Sequence, residues 1–196
     1  MDPLSLYGAP SARAKQKTLT RLDRHMRAFI AKSPFVCMGT VGDSGADVTP
    51  RGGDPGFIRV HDDATLLLPD WPGNNRLDTL RNILADGRTG LLFLIPGVGE
   101  TLRVNGIAEV STDPSLLEQW SSEKRLPKTV LRLSVREAFF HCPKALIRSR
   151  LWHEDAKIDR KSLPTYGEML KDEVDVPESA EEIQAMVERD SRERLY

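Results

Sequence analysis

Between residues 35 and 112 apolar residues come in short runs, each cut off by glycine, proline, asparagine or aspartate. Such punctuation leaves room for short strands and few helices. Phe35–Val41 reads as one strand, Gly42-Asp43-Ser44-Gly45 as a turn, and Ala46–Pro50 as the return. Gly56–Val60 and Thr65–Leu68 flank His61-Asp62-Asp63, and Thr89–Ile95 and Thr101–Val110 flank Pro96-Gly97-Val98-Gly99. Further on, Lys128–Arg136 alternates Val130, Arg132, Ser134 and Arg136 against Thr129, Leu131, Leu133 and Val135, a half-buried strand that Ala138–His141 extends. Strands and helices do not alternate regularly. The expected fold class is therefore mainly β, a β-barrel with peripheral helices, rather than a parallel sheet.

Residues 1–17 are small and polar and are expected to form an arm. Leu19, Leu22, Met26, Phe29 and Ile30 recur at helical spacing, predicting a helix over 18–32 with Thr18 as cap and Pro34 as stop. Arg76–Ala85 predicts a second helix, with Leu77, Leu80, Ile83 and Leu84 on one face. Asp113-Pro114 opens a third, and Pro143–Arg150 makes a turn or two. After Trp152 the composition becomes charged. Residues 179–190 then predict a helix with a Ser179/Glu182 capping box and a narrow stripe of Ile183, Met186 and Val187. The expected organisation is an arm (1–17), a barrel domain (18–152) and a helical extension of that domain (153–196) that wraps a partner subunit.

Composition narrows the functional classes. A hydrophobic fraction of 39% suffices for one core, and a net charge of -1 supplies no field favouring nucleic acid or a membrane surface. The longest apolar run, Leu91–Ile95, is far below the ~20 residues of a membrane span. The first residues lack the apolar centre of a signal peptide. Cys37 and Cys142, the only two cysteines, make no disulfide framework. A cytoplasmic protein is expected.

Three clusters of donors carry possible chemistry. Pro69-Asp70-Trp71-Pro72-Gly73-Asn74-Asn75-Arg76 joins a strand to a helix, whose first N–H groups and positive dipole end suit a phosphate, with Arg76, Asn74 and Asn75 as side-chain donors. The same segment also reads as a plain Asn cap after a Pro-Gly turn. Arg51-Gly52-Gly53-Asp54-Pro55-Gly56 sets glycines beside an arginine, either to let backbone approach a ligand or simply as a tight loop. In Arg103-Val104-Asn105-Gly106, Arg103 and Asn105 share the sheet face opposite Leu102 and Val104. Together the clusters fit an anionic cofactor. Cys142, His141 and His153 match no zinc spacing, so no metal is expected.

The order Arg-Gly-Gly-Asp-Pro-Gly-Phe (51–57), Leu-Pro-Asp-Trp-Pro-Gly-Asn-Asn-Arg-Leu-Asp-Thr-Leu-Arg-Asn-Ile (68–83) and Leu-Arg-Val-Asn-Gly-x-Ala (102–108) resembles the pyridoxamine 5′-phosphate oxidase-like FMN-binding family. So does the closing segment His141–Trp152, and the resemblance spans roughly 30–152. It implies an FMN-binding split β-barrel homodimer with FMN at the subunit interface. By that resemblance Arg51, Asn75 and Arg76 hold the phosphate; Gly53, Asp54 and Asn74 are also expected to bind the cofactor. Pro69, Asp70 and Trp71 follow the isoalloxazine edge, Arg103 and Asn105 lie near the ring or ribityl chain, and Arg150 and Trp152 come from the partner. The vitamin-B6 oxidase has Ser-Arg-Lys where this chain has Asn74-Asn75-Arg76, and its Arg-Leu-His-Asp-Arg motif is absent here. The expectation is thus an FMN-dependent oxidoreductase on an unidentified small molecule, with no catalytic residue assigned. The alternatives are a non-enzymatic flavin-binding or sensing protein, and a related barrel enzyme using deazaflavin or haem.

Overall fold

The computed structural model describes residues 2–43 and 45–193, apart from the side chain of Ala14. Ser44 of the expected turn, and the last three residues of the expected extension, lie outside the described residues. The chain divides into two compact units, residues 1–152 and 153–196.

The first unit is built on one seven-stranded antiparallel sheet of β1 (Phe35–Gly42), β2 (Gly45–Gly52), β3 (Arg59–Asp62), β4 (Thr65–Asp70), β5 (Arg88–Leu94), β6 (Thr101–Ser111) and β7 (Thr129–His141), in the order β2-β1-β5-β6-β7-β4-β3. Pro50 is tolerated because β2 is an edge strand and need not donate to a further neighbour. The sheet is strongly curled. β2 and β4 stand five places apart, about 24 Å in a flat sheet, yet Arg51 on β2 and Asp70 on β4 meet at 2.8 Å. The concave face encloses the core of Val36, Met38, Leu66, Leu68, Leu91, Phe93, Leu102, Val104, Leu131 and Leu133, into which Leu22, Met26 and Ile30 also pack.

A bulge re-aims one end of β7. Asn105 pairs with Glu137 but the adjacent Gly106 pairs with Val135, so Arg136 is the extra residue. Up to Val135 the odd-numbered residues face the core; beyond it the even-numbered Ala138 does. Glu137 and Phe139 are thereby turned to the outer face. The bulge requires glycine opposite, since a Cβ on Gly106 would lie 2.2 Å from the Ser134 carbonyl oxygen.

The helices differ from the sequence expectation in informative ways. The predicted 18–32 helix is only α2 (Arg24–Ile30), capped by Asp23, whose carboxylate accepts from His25 and Met26 N–H. Leu19 instead bridges Ala138 as an extended residue, and α1 (Ala12–Gln16) lies within the expected arm. The helix expected from Arg76 begins at Asp78 as α3 (Asp78–Ala85), because Arg76 is consumed by a turn around Asn74. Two short helices, α4 (Pro114–Leu117) and α5 (Lys144–Ser149), complete the unit.

The second unit holds α6 (Tyr166–Glu173) and α7 (Ala180–Glu193), both opened by reciprocal Ser/Thr–Glu caps. Gly167 lets them approach closely, its Cα facing the Ala180 carbonyl. Among the described residues no helix is long and apolar enough to cross a membrane.

Candidate functional site

A cavity of about 240 Å³ opens at the end of the curled sheet. Its inner wall is Arg51 from β2, Asp70 from β4 and Thr129 from β7, and its outer wall is the 71–77 loop with the first turn of α3. Register explains the convergence. Arg51 lies opposite the buried Val36, Asp70 follows the buried Leu68, and Thr129 lies opposite Asp70 and in line with Leu131. All three side chains therefore point inward at the point where the apolar core ends.

The loop is shaped by local chemistry. Asn74 Oδ1 accepts from Arg76 N–H at 3.0 Å, an Asx turn, and Asn75 takes φ 59°, the left-handed region that asparagine tolerates better than most residues. The chain then enters α3 at Leu77, which offers no side-chain cap. Free first-turn N–H groups and the positive dipole end thus sit beside the cavity, near Thr79 and Leu80. Trp71 donates its indole N–H to the Arg125 carbonyl at 2.9 Å, tying the segment before β7 to the cavity wall.

Charge is partly matched within the chain. Arg51 Nη1 meets Asp70 Oδ1 at 2.8 Å, with side chains 29% and 14% exposed. Arg76 Nε meets Asp78 Oδ2 at 2.6 Å, and Asp78 also reaches Arg81 at 3.4 Å. The hydrogen bond and charge of Arg76 hold the Asp78 carboxyl below its ordinary range, and Arg76 is raised in turn. Among the described residues four buried side-chain polar atoms have no hydrogen-bond partner, and two of them, Arg51 Nε and Thr129 Oγ1, belong to this cavity. Leaving such a donor unmet costs about 1–3 kcal/mol; both atoms are sealed from water, so a polar occupant of the cavity meets them once the side chains turn towards it.

Of the residues singled out in the sequence, the structure brings Arg51, Asp70, Trp71, Asn74, Asn75 and Arg76 to this cavity. Gly53 and Asp54 lie in the turn after β2 and do not line it; Gly53 N–H donates to Pro34 and the Asp54 carbonyl accepts from Phe57. Pro69 is buried on the other face of β4, opposite Val130.

Arg103 and Asn105 sit on the opposite, outer face of the sheet. Both donate to Glu137 Oε1, at 3.2 and 2.7 Å, and the Arg103 guanidinium lies 4.2 Å from the Phe139 ring centre. Lys17 approaches the same ring at 4.8 Å and donates to the Phe140 carbonyl. Beside them, burial and then the charges of Arg103 and Lys17 push His141 below the usual histidine value. Arg150 is the left-handed cap of α5, and Trp152 donates to the Val98 carbonyl at 2.9 Å. Lys128, Thr129, Glu137 and Phe139 escaped the sequence reading. A threonine in register with the core residues Leu131 and Leu133 was the signal for the second; the bulge concealed the last two.

A mainly β, antiparallel sheet curled into a split barrel, with a polar cavity at its end, defines the class of this protein. The pyridoxamine 5′-phosphate oxidase sequence pattern matches residues 22–142, and the chain belongs to that family. Among solved structures, HupZ of Group A Streptococcus is 20% identical over 61% of this chain and 93% of its own, with a TM-score of 0.52, which shows the shared fold. Others resembling it are a candidate pyridoxamine 5′-phosphate oxidase of Lactobacillus delbrueckii (21% identity, 62% and 95% covered, TM-score 0.48) and the FAD binding protein of Mycobacterium smegmatis (14%, 63% and 97%, 0.44). No curated protein matches the chain.

Proposed function

We propose that the protein is an FMN-dependent oxidoreductase acting on a small molecule, with the phosphate end of FMN in the barrel-end cavity. The observation that carries this reading is the pair of buried, unpartnered donors, Arg51 Nε and Thr129 Oγ1, beside the uncapped start of α3. These are groups that a phosphate satisfies and an apolar ligand does not.

Bound FMN would supply two-electron redox chemistry, passing a hydride through its flavin ring. The protein's residues bind and orient it. Arg51 and Arg76 present guanidinium donors, Asn74 and Asn75 their amide N–H groups, and the α3 N-terminus its backbone N–H groups. Trp71 and Asp70 border the ring side of the cavity, with Pro69, Gly53 and Asp54 fixing the two segments that carry them.

Arg103 and Asn105 fall to the ring or ribityl chain at a homodimer interface, where Arg103 stabilises negative charge on the reduced ring. The outer face supports such a dimer: exposed Val48 and Ile107 line a shallow depression of about 620 Å³ that also takes in Gly39 and Gly90. Arg150 and Trp152 would reach the second subunit's flavin.

The test is an absorption spectrum of the purified protein before and after denaturation, followed by turnover with reduced nicotinamide cofactors. A bound yellow chromophore released intact as FMN supports the cofactor. A protein that neither carries nor takes up FMN refutes it. Binding without turnover would make the protein a flavin carrier or sensor.

A further inference from the structure

Both arginines facing the barrel-end cavity are matched by carboxylates of the same chain, Arg51 by Asp70 and Arg76 by Asp78. A phosphate monoester carries between one and a half and two negative charges at neutral pH, roughly, and matched pairs do not neutralise it. Lys128 is the remaining charged residue lining the cavity, and its side chain makes no ion pair or hydrogen bond among the described residues. Its place is fixed by the fold. Lys128 N–H donates to the Asp70 carbonyl at 2.9 Å, and the next residue, Thr129, pairs with Asp70 across β4 and β7. One residue of β4 thus positions Arg51 through its carboxylate and Lys128 through its carbonyl. Thr129 Oγ1 and Arg51 Nε then offer buried donors on the same wall.

We propose that Lys128 and Thr129 are phosphate-recognising residues of this cavity. Lys128 gives it net positive charge, and the Thr129 hydroxyl joins Arg51 Nε as a buried donor. The inference rests on the FMN reading and deepens it by naming the residues beyond Arg51 and Arg76 that meet the phosphate.

The experiment measures binding of three probes, FMN, riboflavin and phenyl phosphate, to the full chain and to K128M, K128R and T129V. Lys128 is exposed, so its replacement is expected to leave the melting temperature of the flavin-free protein unchanged. The expected result is FMN binding about 10- to 100-fold weaker in K128M, and weaker in T129V, with riboflavin binding unchanged and K128R close to the parent. The salt dependence of FMN binding is expected to flatten in K128M. FMN binding unchanged in K128M, or FMN and riboflavin weakened equally, overturns the role of Lys128 while leaving the FMN reading in place. Failure of the parent protein to bind FMN overturns that reading instead. Phenyl phosphate then decides the proposal: binding by the parent and not by K128M upholds it, and no binding overturns it.

Discussion

At the scale of single residues, ligand binding depends on which charges are available to meet it. Arg76 is 81% exposed and engages Asp78 through Nε, leaving its two terminal nitrogens without partners among the described residues. A phosphate recruiting those nitrogens competes with Asp78 for one charge. Arg76→Ala is therefore expected to weaken FMN binding, by roughly tenfold, through the loss of a charged hydrogen bond. Asp78→Asn is expected to tighten it, and titration by flavin fluorescence quenching reads both. His141 makes a separate prediction. Its folded value lies below the unfolded one, chiefly through burial, so the unfolded chain binds the proton first. Stability is full above the ordinary histidine value of about 6.5 and is lost as pH falls through it towards the lowered folded value. Melting temperature should drop between pH 7 and pH 5, and His141→Gln should make that drop shallower. An identical slope in the variant would remove His141 from the account.

At the scale of elements, the bulge in β7 decides what the outer face presents. Gly106→Ala places a methyl group 2.2 Å from the Ser134 carbonyl, where strand backbone cannot yield cheaply. A loss of about 1–3 kcal/mol or more is expected in chemical denaturation, as for overpacking elsewhere. Arg103 and Asn105 should lose Glu137 together if the bulge relaxes. The bulge also marks where sequence reading stopped working. The alternation along Lys128–Arg136 identified the core face of β7 correctly, because Leu131 and Leu133 line the core. Continued unchanged, it turns Glu137 and Phe139 inward, and only a register seen against β6 reveals otherwise. Helix starts failed for a related reason. Leu19 and Leu22 have helical spacing with Met26, but Asp23 is the residue whose carboxylate meets the first N–H groups. In the second unit, Thr165 and Glu168 form a capping box as plain as that of Ser179 and Glu182, yet the surrounding charge masks α6 in the sequence. The strand-to-helix junction at 69–78 was legible because proline, glycine and paired asparagines each constrain the backbone locally. The contribution of Thr129 was not, since it depends on the curl that brings β2 to β4.

At the scale of the whole molecule, the curl of the sheet creates two polar regions on opposite faces, the barrel-end cavity and the Arg103–Asn105–Glu137 cluster. One flavin contacting both must lie at an edge of the barrel, and a second subunit docked on the outer face would complete its surroundings. Val48 is 70% exposed on that face, on the edge strand β2. Val48→Glu is expected to convert a dimer into monomers by light scattering and to weaken FMN binding without altering the monomer's secondary structure. A parent protein that is monomeric at micromolar concentration would refute the shared site.

A phosphate cradle at the barrel end has a structural signature. The most direct test is a crystal structure of the protein saturated with FMN. The phosphate is expected inside the cavity bounded by Arg51, Thr129 and the start of α3, within hydrogen-bond distance of Arg51 Nε and the Thr129 hydroxyl. Flavin bound with its phosphate elsewhere, and that cavity filled by solvent, would contradict it.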